Sequence, residues 1–237
     1  MTPLLLATAM LLAQGLSGGG EDLSTKETRA VIHSYAQCVV KRQPARASAA
    51  ILSNHDNKTI IRKHPQLMIG DCLRPGPQQV VKAQFPGDLY RYALADALVS
   101  RDLAGSNPLD FAAVPKLDHR DPGPAPEQVG PQGKKLSAKK FQEALDTYRT
   151  SAAFAYLSRY GECVVRVAPA ASKALLLTMP DSGDESASFK ALTPALATCL
   201  PEGETLRFGK VTLRGTIAIN YYRLAIAARA ASIGTAG

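Results

Sequence analysis

Apolar positions fall three and four residues apart along most of this chain, the spacing that keeps one face of an α-helix turned toward a core. Ala30, Val31, Tyr35, Cys38 and Val39 follow it, as do Phe141, Leu145, Tyr148, Ala152, Ala155 and Tyr160. Ser24 with Glu27 three residues on forms a capping box for the first of these helices, and Ser137 is the N-cap of the second. A further helix is predicted to open at Pro44 and again at Pro169, since proline suits the first helical turn. Both are Ala-rich and run to Leu52 and Leu177. A third pair is predicted to end at Cys72 and Cys199, where Leu73-Arg74-Pro75-Gly76 and Leu200-Pro201-Glu202-Gly203 supply stop signals. Pro65 and Pro194 in these stretches predict a late start or a kink. A fourth pair spans about Asp88 to Leu103 and about Thr212 to Ser232. Leu206 to Leu213 alternates in part, but the surrounding alanines and the 3–4 spacing outweigh a strand.

The pattern repeats itself. Tyr35-Ala36-Gln37-Cys38-Val39-Val40-Lys41 returns as Tyr160-Gly161-Glu162-Cys163-Val164-Val165-Arg166. Pro44 and Pro169, Ile51-Leu52 and Leu176-Leu177, Cys72-Leu73 and Cys199-Leu200, and Arg91 and Arg214 continue the match. The offset is 125, then 127, then 123, and it shifts only where turn residues cluster, at Ser53–Lys58 and Arg74–Gln79. Loops are where insertions belong. The expected architecture is all-α, a tandem duplication of a disulfide-stapled four-helix unit. The first repeat is placed at 24–104 and the second at 137–233. Between them 105–136 is a proline-rich linker, with Leu109, Phe111, Val114 and Leu117 suited to pin it onto a surface.

The cysteines sharpen this. There are four, two per repeat, and no C-x-x-C, so neither a zinc knuckle nor a thioredoxin-type motif is supported. Of three possible pairings, duplication favours Cys38–Cys72 and Cys163–Cys199, because a unit copied with its own bond keeps it. Disulfides imply an oxidising compartment. The N-terminal run Leu4–Ala13, followed by the small residues of 15–20, has the length of a signal-peptide apolar region and is too short to span a bilayer. Residues 1–20 are therefore read as a signal peptide, although no Lys or Arg precedes the run. No membrane span is expected in the mature chain, and a periplasmic or secreted location follows.

Composition excludes global disorder, since 46% of the 237 residues are apolar. The net charge of +8 raises nucleic acid, anionic lipid or another protein as partners. The basic residues are scattered, without the interleaved aromatics of a base-stacking surface, so nucleic acid is disfavoured.

Chemical motifs are weak. Gly15-Leu16-Ser17-Gly18-Gly19 lacks the strand-turn-helix context of a nucleophile elbow, and Ser137-Ala138-Lys139-Lys140 lacks the companions of an S-x-x-K enzyme. His33, His55, His64 and His119 have no counterparts in the other repeat and no metal spacing. Asp181, Asp184 and Glu185 read as a solvated loop capping the next helix. No catalytic residue, cofactor or metal is assigned. What both repeats share is Arg91 with Arg214 and Tyr35 with Tyr160. The four are candidates for a pseudo-symmetric ligand cleft gripping an anion. The competing reading is architectural: each arginine capping carbonyls or pairing with a carboxylate, each tyrosine a core ring with its hydroxyl bonded.

Glu162-Cys163-Val164-Val165, a proline-started helix, Cys199-Leu200, Leu213-Arg214-Gly215 and Tyr222-Arg223 together resemble a type of exported protein of sphingomonads and related alphaproteobacteria. The resemblance covers Tyr160 to Arg223; the first repeat departs from it at Gln37 and at Arg91-Tyr92. It implies a periplasmic or secreted location and no particular chemistry. The expected function is a non-catalytic binding or interaction protein of the periplasm or cell envelope. The alternatives are an enzyme on an envelope substrate, using histidines only one repeat holds, and a basic module attaching to anionic lipid or lipopolysaccharide.

Overall fold

The computed structural model describes residues 26–73, 87–107, 109–129, 133, 135–203 and 209–234. Residues 1–20, expected to be a signal peptide, the expected Ser24 cap and residues 206–208 lie outside them. The described residues are helical, with α1 at Lys26–Arg42, α2 at Pro44–Leu52, α3 at Asn57–Lys63, α4 at Leu89–Leu103, α5 at Ala138–Val167, α6 at Pro169–Leu176, α7 at Gly183–Thr198 and α8 at Lys210–Gly234. No strand occurs among them, only an isolated bridge between Val129 and Lys135.

Local chemistry explains the boundaries. Pro44 and Pro169 each open a helix as predicted. Asp56, Ser137 and Ser182 accept backbone N–H bonds at the N-termini of α3, α5 and α7. The third helix differs between the halves. α7 runs through Pro194 to end beside Cys199, whereas α3 stops at Lys63 and two short 3-10 turns, Pro65–Leu67 and Gly70–Leu73, carry the chain to Cys72. Pro65 cannot donate an i→i−4 bond, so the expected single helix breaks there.

The disulfides are Cys38–Cys72 and Cys163–Cys199, each fastening a long helix to the end of the third segment. α4 and α8 pack on one another at the centre, with α1 against α4 and α5 against α8. Buried residues of both halves form one core cluster, including Tyr35, Leu94 and Leu98 with Leu176, Ile217 and Tyr221. Two glycines permit the closest helix approaches. A Cβ on Gly161 of α5 would lie 2.4 Å from Thr216 of α8, and one on Gly215 of α8 would lie 2.1 Å from the Tyr92 ring on α4.

The proline-rich linker is a strap fixed to this core. Phe111 is buried and meets Tyr221 edge-on at 5.4 Å. Arg166 donates to the carbonyls of Phe111, Val114 and Pro115 at 2.6, 2.9 and 2.7 Å. Arg223 donates to the carbonyl of Asp118 at 2.8 Å, and Arg120 pairs with Asp56 at 3.0 Å. Charged side chains thus satisfy carbonyls that an irregular segment cannot pair within itself.

Candidate functional site

A cavity lies where α1, α4 and α8 meet the turn before α7, larger than a second one beside Arg91 and Ser158. Ile32, Leu89, Ala93, Val211 and Pro180 give it apolar walls, and Arg29, His33, Asp96 and Arg214 a polar floor. Its volume is about 60 Å³ and it is partly open to solvent.

The floor is a network joining both halves. Arg214, on α8 and 4% exposed, places Nε and Nη2 on the two oxygens of Asp96 of α4 at 3.2 and 3.1 Å. Its Nη1 reaches Glu185 at 3.2 Å, and it also donates to the carbonyls of Leu175, Leu176 and Thr178. Those carbonyls lie at the end of α6 and in the turn that follows it, where the helical ladder runs out. Glu185 is fully buried, bonded also to Arg29 at 2.8 Å and to the Asp181 N–H at 3.0 Å. Arg29 pairs with Asp181 as well. Of the acidic turn read as solvated, Asp184 is exposed and Asp181 partly so, but Glu185 is a buried ion-pair centre, because Arg29 and Arg214 converge on it from other elements. His33 completes the chain. Its Nδ1 lies 3.3 Å from Asp96 and its Nε2 2.9 Å from the Gln37 amide nitrogen, which assigns the proton to Nδ1.

Arg91 does for the first half part of what Arg214 does for the second. It is 2% exposed, donates to Asn54 Oδ1 at 2.7 Å and stacks 4.7 Å from the Phe154 ring centre. Asn54, like Asp181, is in the left-handed region after the second helix, with φ of 52° and 61° respectively. Burial lowers the pKa of Arg91, with the Asp88 carboxylate 3.9 Å away opposing the shift. The two tyrosines also match. Tyr35 accepts from the Ile69 N–H at 3.0 Å and Tyr160 donates to the Leu196 carbonyl at 3.0 Å, each bracing the segment before the second cysteine. Burial raises the pKa of both hydroxyls.

The four candidates are not brought into one cleft. Arg214 borders the larger cavity and Arg91 the smaller one, while Tyr35 and Tyr160 line neither. Burial against helix ends and turns commits most of their polar atoms to architecture, the Arg91 Nε–H excepted. Among the described residues no three His, Cys, Asp or Glu side chains are grouped to hold a metal ion. His55 sits on an exposed turn 3.1 Å from Lys63 Nζ, its pKa lowered by burial first and then by the Lys63 and Arg120 charges.

A second polar cluster escaped the sequence reading. His119 of the strap lies against α5, with Nδ1 2.8 Å from Ser158 Oγ and Nε2 bonded to Glu162 Oε2. Glu162 also accepts from the Leu117 N–H at 3.1 Å and from Arg166 Nε at 2.7 Å. Burial alone would raise its pKa, but His119, Leu117 and Arg166 together hold it down at about 2. Ser158 and Glu162 stand one helical turn apart, the single local signal available; the histidine comes from 39 residues away in sequence.

No protein-family model matches this chain, and no curated protein or solved structure shows detectable similarity to it. What the geometry itself supports therefore carries the functional reading.

Proposed function

We propose that this chain is an exported binding or interaction protein of the periplasm or cell envelope, built by duplication of a disulfide-stapled helical unit, with its ligand seated in the cavity between α1, α4 and α8. One observation carries the reading: every charged group on that cavity's floor is bound to another. Both oxygens of Asp96 face Arg214, and both ring nitrogens of His33 are engaged. A general base needs a free lone pair within reach of substrate. What the cavity offers instead is apolar wall and a rigid floor. Its volume of about 60 Å³ is well below the roughly 150 Å³ of a dry cavity that holds benzene, so it suits a small alkyl group of a ligand whose remainder lies outside. Val31 and Met179, adjacent in sequence to the lining residues Ile32 and Pro180, are more than half exposed and supply apolar surface for that remainder.

Two formed disulfides favour export. Among the described residues no helix is long and apolar enough to cross a membrane. The repeated sequence, the matched arginines at the second-helix turns and the matched tyrosines support the duplication.

Native mass spectrometry of the protein purified from the periplasm of its own host tests the site. An adduct is expected on the wild type and is lost in Ala93→Leu, which fills the cavity. An adduct equally retained by the filled variant would place the ligand elsewhere.

A further inference from the structure

We propose that Ser158, His119 and Glu162 form a second, catalytic site, a nucleophile, its general base and the carboxylate that positions the base, acting on small acyl esters. The proposal goes beyond the binding cavity and stands or falls without it.

The geometry supplies each part. Glu162 is held ionised and accepts from His119 Nε2–H, so Nδ1 carries the lone pair, and that atom is the one 2.8 Å from Ser158 Oγ. Arg166, at 2.7 Å through Nε, fixes the carboxylate. Asn220 donates to the Ser158 carbonyl at 3.0 Å and holds that turn of α5 against α8. Ser158 also borders the smaller cavity, of about 10 Å³, and Arg91 lines the same space. The Arg91 Nε–H is buried and has no hydrogen-bond partner among the described residues. A cationic donor left over beside a nucleophile is what a developing oxyanion requires.

The chemistry balances. Ser158 Oγ attacks the ester carbonyl carbon as its proton passes to His119 Nδ1. The carbon–oxygen bond to the alcohol breaks, and the alcohol leaves with the proton from Nδ1. Water then attacks the acyl-serine, giving its proton to Nδ1, and the released Ser158 oxygen takes that proton back. The products are an acid and an alcohol, and nothing is oxidised or reduced. A void of this size admits about one water-sized group, such as the methyl of an acetyl ester, with the rest of the ester outside it. Longer chains have no room beside Arg91.

The test uses the full chain and a fluorophosphonate probe, with intact-mass and peptide mapping. The expected result is one adduct on Ser158, absent in Ser158→Ala, with p-nitrophenyl acetate hydrolysis lost in the same variant. His119→Gln should slow labelling about 100-fold or more. Glu162 is tested by a kcat-against-KM split: Glu162→Gln should lower kcat for p-nitrophenyl acetate with KM unchanged, because the imidazole loses the carboxylate that positions it, a change that weakened packing would not produce. Circular dichroism establishes that each variant is folded. A folded wild type that takes no adduct on Ser158, or ester hydrolysis undiminished in Ser158→Ala, overturns the proposal and leaves the cluster a static clasp on the strap. Neither result touches the ligand adduct that the binding reading predicts.

Discussion

Arg214 shows how one side chain does work that the sequence cannot display. Its presence in both halves is visible, but its carboxylate partner Asp96 is 118 positions away, so nothing local marks it as an ion-pair centre. Removing one member of a buried pair leaves the other charge stranded, at a cost of about 3–5 kcal/mol. Arg214→Ala is expected to lower the unfolding free energy by that amount, read from the fall in the urea midpoint at constant m. Glu162 gives a pH signature. Its pKa falls from 4.5 to about 2 on folding, so its contribution is fully present above pH 4.5 and is lost as pH falls toward 2. The shift corresponds to roughly 3 kcal/mol. The stability gap between the wild type and Glu162→Gln should therefore close across that window, as acid titration of the unfolding free energy would show.

The helices themselves were legible, because 3–4 spacing, proline starts and Ser caps are local signals. Ser137 caps α5 as its sequence implied, and α4 and α8 fall close to the predicted spans. The interruption of the first half's third segment was legible at Pro65, but not the two 3-10 turns that carry the chain on to Cys72. The strap was legible as irregular but not as fixed, since the side chains that hold it, Arg166 and Arg223, belong to other elements. Gly161 is a point of close approach between α5 and α8. Gly161→Ala gains helix propensity, yet its Cβ would sit 2.7 Å from the Asn220 amide nitrogen and 3.0 Å from the Thr216 carbonyl oxygen. Overpacking of that kind costs about 1–3 kcal/mol and outweighs the propensity gain of up to about 1 kcal/mol. A lower melting temperature is expected, and an equal or higher one would mean the helices separate freely.

At the scale of the molecule, the disulfides follow the pairing that duplication favours, each closing a loop of similar length with separations of 34 and 36 residues. Either bond is worth about 3–4 kcal/mol in the chain-entropy account. Replacing Cys38 and Cys72 by serine should lower stability by that much, and the Cys163/Cys199 double variant should match it to within about 1 kcal/mol, since loop entropy grows only with the logarithm of length. The seam is less readable. Arg91-Tyr92 and Arg214-Gly215 look in sequence like a small divergence between repeats, and in space they are partners: the ring of one half occupies the place where the other has no side chain. The pair works as a key and its keyhole. Two first halves meeting through the same faces would set tyrosine against tyrosine, and two second halves would leave a hollow at glycine. Only unlike halves close the joint, so this single position disfavours the pairing of like halves.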